Sequence, residues 1–227
     1  MSTPGPPHLS SPTMKAPTAM PEGAQQRRAV LERLDLARHE PNKVLDAFAT
    51  SVAEELVALG GLPDGVDGLY AMANLIGDKG QYFAGLHVPR LSAGASQAAP
   101  VASRSVSRTM DFNEGWCVHT IERHAALPLR DVYEFPRFGG NRATYRLGAR
   151  AYLGMRVVDP DTGVPFGTIC AVATRPTAWT KSHVDLIKGR ALQFNTWVIT
   201  RDPQDLRLAS SPATRYEGVP DDPASTK

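Results

Sequence analysis

Residues 151–173, AYLGMRVVDPDTGVPFGTICAVA, decide how this chain is read. Two short apolar runs flank a cluster, Asp159-Pro160-Asp161-Thr162-Gly163. Asp side chains bond nearby backbone, Pro presets φ and Gly tolerates positive φ, so the cluster predicts a chain reversal. The flanking runs have the length and the residue types of strands. The stretch therefore predicts a β-hairpin, and the rest of the chain is expected to fold around it. Gly154, Gly167, Ala171 and Ala173 mark places where another backbone or a ligand comes close.

Working outward, Trp179-Thr180 opens a last helix, with Thr180 as the cap and Trp179 and Val184 placed to form a hydrophobic staple. Its expected stripe is Val184, Ile187, Ala191, Phe194 and Val198, and it should fade near Thr200, before Asp202-Pro203. On the other side, residues 135–145 read as a loop with aromatic residues and two adjacent glycines, Gly139 and Gly140. Residues 127–132 read as a short strand and residues 112–124 as a helix bearing Trp116, His119, Thr120 and Arg123. Residues 87–107 are rich in Ser, Ala, Pro and Gly and are expected to form a long mobile loop. Before it, residues 69–76 and 81–86 read as strands joined by Gly77-Asp78-Lys79-Gly80. Helical spacing over residues 27–39 and from Pro41 to Leu59 predicts two helices, the second ended by Gly60 and Gly61.

The chain has 227 residues. Residues 1–25 and 202–227 are rich in Pro and Ser and poor in apolar periodicity, so both are expected to be disordered tails around one domain, residues 26–201. A net charge of +2 gives no electrostatic case for nucleic acid or an anionic membrane. No apolar stretch reaches the roughly 20 residues a membrane helix needs, and no signal peptide is visible. The two cysteines, Cys117 and Cys170, are too few for a secreted disulfide scaffold, so a cytoplasmic location is expected. Mostly antiparallel strands with helices near both ends of the domain predict an α+β fold.

Several strings, in this order, resemble the GAF domain family, in particular a bacterial branch of it. They are Asp78-Lys79-Gly80-Gln81-Tyr82-Phe83 with Gly85; Trp116-Cys117-Val118-His119-Thr120-Ile121; Arg130-Asp131-Val132 with Phe135-Pro136-Arg137-Phe138 and Asn141; Tyr152-Leu153-Gly154-Met155; Gly163; and Gly167-Thr168-Ile169-Cys170-Ala171-Val172 ahead of Pro176, Trp179 and Thr180. The resemblance implies a PAS-related antiparallel sheet, with terminal helices on one face and a loop-covered pocket on the other. It also implies a non-enzymatic small-molecule sensor or regulatory module, acting in signal transduction. With no output domain expected in the chain, such a module would act through a homodimer or a signalling partner. The alternative is a ligand-free interaction module dimerising through the helices near residues 27–60 and 181–200.

The pocket candidates are Trp116, His119, Phe135, Arg137, Phe138, Arg142, Tyr145 and Tyr152. Aromatic walls with two guanidinium groups would suit an anionic or amino-acid-like metabolite of unknown identity. The competing reading makes Asp131 and Phe138 parts of the fold; Arg137 and Arg142 fit either. No catalytic residue and no metal site is assigned. Cys117 and His119 at i and i+2 point to different sides of a helix, and closed zinc sites take four ligands. Haem ligation would fall to His119 or His124, and a lone His is more often structural. Residues 141–150 lack the Cys-His pair of bilin-binding relatives. The less favoured alternative is a thiol-dependent reductase with Cys117 and Cys170 as a redox pair: GAF-type free-methionine-sulfoxide reductases use loop cysteines, whereas these two fall in regular elements with apolar neighbours, where thiols are usually inert.

Overall fold

A computed structural model describes residues 23–63, 68–89 and 106–206. The expected tails, other than residues 23–25 and 202–206, and most of the 87–107 loop lie outside the described residues. Two helices lead, α1 (Ala24–Arg33) and α2 (Lys43–Ala58), followed by strands β1 (Tyr70–Ile76), β2 (Gln81–His87) and the two-residue β3 (Thr109–Met110). A short helix α3 (Cys117–Ile121), strand β4 (Leu127–Leu129) and helices α4 (Pro136–Gly139) and α5 (Arg142–Leu147) come next. The hairpin β5 (Ala151–Val158) and β6 (Pro165–Ala173) and the long helix α6 (Lys181–Thr200) complete the set.

The hairpin forms as expected. Tyr152 pairs with Val172 and Gly154 with Cys170, in an antiparallel register running from Ala151↔Ala173 to Val158↔Pro165. Its turn is closed by Asp159 N–H on the Val164 carbonyl at 2.9 Å and by Gly163, at φ +71°, on the Asp159 carbonyl at 2.8 Å. Asp159 is wholly buried there and holds Arg33 of α1 and the Thr162 hydroxyl. Burial alone would raise its carboxyl pKa; those bonds outweigh burial and lower it.

The six strands form one sheet in the order β3-β2-β1-β6-β5-β4, antiparallel at every pairing. The two hairpins, β1–β2 and β5–β6, join along β1 and β6, so the hairpin of residues 151–173 occupies the middle of the sheet. Both of its faces are covered, as its nearly unbroken burial requires. On the back, α1, α2 and α6 bury Val30, Leu31, Leu45, Phe48, Val52, Leu56, Ile187, Ala191, Phe194 and Val198 in one core with Ala71, Ala73, Leu153, Ile169 and Ala171. This is the expected α+β arrangement, with helices from both ends of the domain on one face.

Glycines allow the closest approaches. A Cβ on Gly85 would strike the Leu45 carbonyl of α2, and one on Gly167 would strike the Asn74 carbonyl of β1. Arg190, buried in α6, is held by Glu55 of α2, by Gln193 at 3.0 Å and by the Leu206 carbonyl at 3.3 Å. The last contact shows packed chain beyond the expected domain boundary at residue 201: Pro203–Leu206 is a 3₁₀ turn that buries Leu206.

Element boundaries differ from expectation where side chains or positive φ intervene. The first helix stops at Arg33 because Asp35, at φ +50°, closes a left-handed cap: Leu36 N–H bonds the Leu31 carbonyl and Asp35 N–H the Glu32 carbonyl. The second helix is opened by Asn42 rather than Pro41, its Oδ1 accepting from Val44 and Leu45 N–H at 2.9 and 3.3 Å. The expected helix over 112–124 shrinks to α3. Gly115 sits at φ +75°, and the Gln81 amide takes the Asp111 and Glu114 carbonyls that a helix would have used. In α6, Thr180 caps as expected, with His183 closing the reciprocal bond.

Candidate functional site

The front of the sheet is covered by short pieces. Even-numbered residues of β5 and β6, Tyr152, Cys170 and Val172, face this side, beside Tyr70, Met72 and Ile76 of β1. Over them lie α3, α4, α5 and a 3₁₀ turn at Val132–Glu134, which contribute Trp116, Cys117, Ile121, Val132, Phe138, Ala143 and Leu147. Residues 135–145, expected as a loop, are therefore mostly helical. Pro136 stands at the first turn of α4, and Asn141 caps α5 by accepting from Ala143 N–H at 3.0 Å.

Polar clips hold this cover down. Asn141 also reaches across to the α3 approach, accepting from Gly115 N–H at 2.8 Å and donating to the Gly115 carbonyl at 3.0 Å. The Asp131 carboxylate accepts from Tyr133 N–H and from Arg150; the Arg150 bond, the largest influence, pulls its pKa below the ordinary carboxylate value against burial. Buried Glu114 meets Arg142 at 2.9 Å and Arg146 at 2.7 Å.

The eight candidate residues divide into three groups. Trp116, Phe138 and Tyr152 are each about 1 % exposed and fill the space between cover and sheet. Trp116 and Tyr152 have ring centroids 5.6 Å apart. His119, Phe135 and Arg137 gather around Phe138: the His119 ring lies 5.0 Å away, the Phe135 ring 5.9 Å, and the Arg137 guanidinium 4.4 Å over its face. Burial, helped by Arg137 and opposed by Glu122, lowers the His119 pKa and favours a neutral imidazole. Arg142 is engaged with Glu114, and Tyr145 is largely exposed.

The sequence alone offers Cys117 and Cys170 as a redox pair but disfavours it; the structure brings the two together. Their sulfurs lie 3.6 Å apart beneath α3, and both thiols are free. The Tyr152 hydroxyl approaches Cys117 Sγ at 3.5 Å and shares a 2.8 Å hydrogen bond with Thr120. Gly154 makes this possible, since a Cβ there would collide with that hydroxyl. Bonding from Cys170 lowers the Cys117 thiol against burial, and the same contact with burial pushes the Cys170 thiol well up. No residue spacing announces the pair, because it depends on β1 and β6 being neighbours and on where α3 lands.

Among the described residues no three His, Cys, Asp or Glu side chains gather as a metal site, and no helix is long and apolar enough to cross a membrane. A groove of about 350 Å³ lies elsewhere, between Arg33, Asp159 and Asp161 on one side and Val198, Ile199 and Arg201 on the other. None of the eight candidates lines it.

No protein-family model matches the sequence, and no curated protein matches it significantly. Among solved structures the chain is similar to a GAF sensor protein from Burkholderia vietnamiensis, at 15% identity and TM-score 0.44, over 81% of this chain and 93% of that one. It is also similar to the GAF domain of an Acinetobacter phosphoenolpyruvate-protein phosphotransferase, at 13% identity and TM-score 0.44, over 77% and 93% of the two chains. A third is a type II free methionine-R-sulfoxide reductase from Thermoplasma acidophilum, at 10% identity and TM-score 0.45, over 70% and 96%. These likenesses are distant, so the functional reading below comes from the chain's own residues.

Proposed function

We propose that this chain is a GAF-type sensory module without enzymatic activity, in which the front cover is the input and the back helix layer the output. One observation carries the reading: alternate residues of the same two central strands serve both layers. Tyr152, Cys170 and Val172 pack under the cover, while Leu153, Ile169, Ala171 and Ala173 pack under the helices. A ligand that reseats α3 to α5 must shift strands on which α2 and α6 rest, and that biases how those helices meet a partner protein or a second copy.

The recognition surface is the cluster of His119, Phe135 and Arg137 at the cover, backed by buried Phe138. Aromatic faces beside a guanidinium suit a small planar or anionic metabolite, and Trp116 and Tyr152 form the floor. A thermal-shift panel of small anionic metabolites and amino acids tests this. A binder raises the melting temperature, by mass action, in the wild type and not in Arg137→Ala. No shift across the panel, well above plausible affinities, counts against it.

A second reading has its own support. Trp116, Phe138 and Tyr152 already fill the front, as they would in a scaffold used only for association. That module would show concentration-dependent dimers by light scattering, indifferent to every metabolite in the panel.

A further inference from the structure

We propose that Cys117 and Cys170 are a peroxide-reactive dithiol, oxidised by hydrogen peroxide to an intramolecular disulfide that ties α3 to β6. This goes beyond the sensory reading and does not need a metabolite. The sulfurs are 3.6 Å apart, so closure to a bonded separation of about 2.05 Å asks for a shift of roughly 1.5 Å. One sulfur stands on a central strand of the sheet. The other stands on α3, a helix of five residues packed over that strand.

The surroundings favour chemistry over inert packing. The Thr168 hydroxyl and the Asn74 side chain lie close enough to Cys117 to hydrogen-bond its sulfur and favour its thiolate. The Tyr152 hydroxyl approaches the same sulfur from the β5 side. Cys117, about 5 % exposed against 1 % for Cys170 and approached by the Tyr152 hydroxyl at 3.5 Å, is the attacking sulfur.

The chemistry balances with peroxide as the only oxidant. Cys117 sulfur donates an electron pair to one peroxide oxygen, the O–O bond breaks, and the departing hydroxide leaves as water with the thiol proton. Cys117 is then a sulfenic acid. Cys170 sulfur attacks Cys117 sulfur, the S–O bond breaks, and the hydroxide leaves as a second water with the Cys170 proton. Two thiols and one peroxide become one disulfide and two waters.

The test uses the full-length reduced protein, one equivalent of hydrogen peroxide, and alkylation under denaturing conditions before intact mass measurement. The expected result is a monomer lighter by two hydrogen atoms, with no alkylatable thiol, restored to two by dithiothreitol. In Cys170→Ser, dimedone should capture a sulfenic acid at Cys117. In Cys117→Ser, loss of the Cys170 thiol should slow at least about tenfold. Two alkylatable thiols surviving in the wild type would overturn the proposal. So would oxygen addition without a disulfide, or a disulfide-linked dimer. The wild-type measurement decides even if a variant fails to fold.

Discussion

The hydroxyl pair of Tyr152 and Thr120 fastens α3 to the middle of the sheet, and its energy can be worked from its partners. Tyr152 is wholly buried, and its hydroxyl shares a 2.8 Å bond with Thr120, whose hydroxyl also donates to the Trp116 carbonyl at 3.1 Å. Tyr152→Phe removes one bond but leaves Thr120 its carbonyl, so the loss should be about 1 kcal/mol. Thr120→Val removes both bonds and leaves the Tyr152 hydroxyl with only a sulfur acceptor, a loss of about 2 kcal/mol. The double variant has no orphaned hydroxyl and should also lose about 2 kcal/mol, which makes the coupling about 1 kcal/mol. Equilibrium urea unfolding reads these values, with unchanged m-values as the check on two-state behaviour. On heating, each 1 kcal/mol corresponds to roughly 3 °C in a domain of this size. Strict additivity, with a coupling under about 0.3 kcal/mol, would refute the seating of α3 on β5.

Acid should destabilise the fold well before its carboxylates titrate. Burial is the largest cause lowering the pKa values of His87, His119 and His183, so between the folded and ordinary values the unfolded chain binds more protons. Stability is thus complete above the ordinary His value of about 6.5 and falls as the pH drops through it. Melting temperatures from about pH 8 down to about pH 5.5 should decline, and a flat or rising profile would contradict this assignment. The glycines offer a contrast in mechanism. Gly167→Ala forces a methyl onto the Asn74 carbonyl and should cost about 3 kcal/mol or prevent folding. Gly163→Ala meets open space and should cost only about 1 kcal/mol, from its φ of +71°. Equal losses by chemical denaturation would show that Gly167 is not at the β1–β6 contact.

The central hairpin was legible because its signals are local. Asp159, Gly163 and two strand-forming runs lie within one window, and the same holds for Thr180 at the α6 cap. The terminal helices were legible from their stripes, although the ends were not: Asp35 took the left-handed cap that glycine usually supplies, and Asn42 displaced Pro41. Residues 135–145 were misread as loop because glycines and aromatics outweighed two weaker helix signals, Pro136 at a first turn and Asn141 as a cap. At the site, residue type separated poorly the residues that fill the front from those that face outward. Trp116, Phe138 and Tyr152 are buried while Tyr145 is exposed, a distinction set by where short helices land. The Cys117–Cys170 contact and the reach of Gln81 into residues 111–114 depend on long-range register, which no spacing in the sequence encodes.

The coupling of front cover to back helices is tested most directly by hydrogen exchange in Asn141→Ala. That substitution removes three clip bonds, two to Gly115 and one to Ala143, all in the cover and far in sequence from α2 and α6. The layered arrangement predicts faster exchange in residues 111–150 and also in α2 and α6, through the strands both layers share. Faster exchange confined to residues 111–150, with α2 and α6 unchanged, would contradict it.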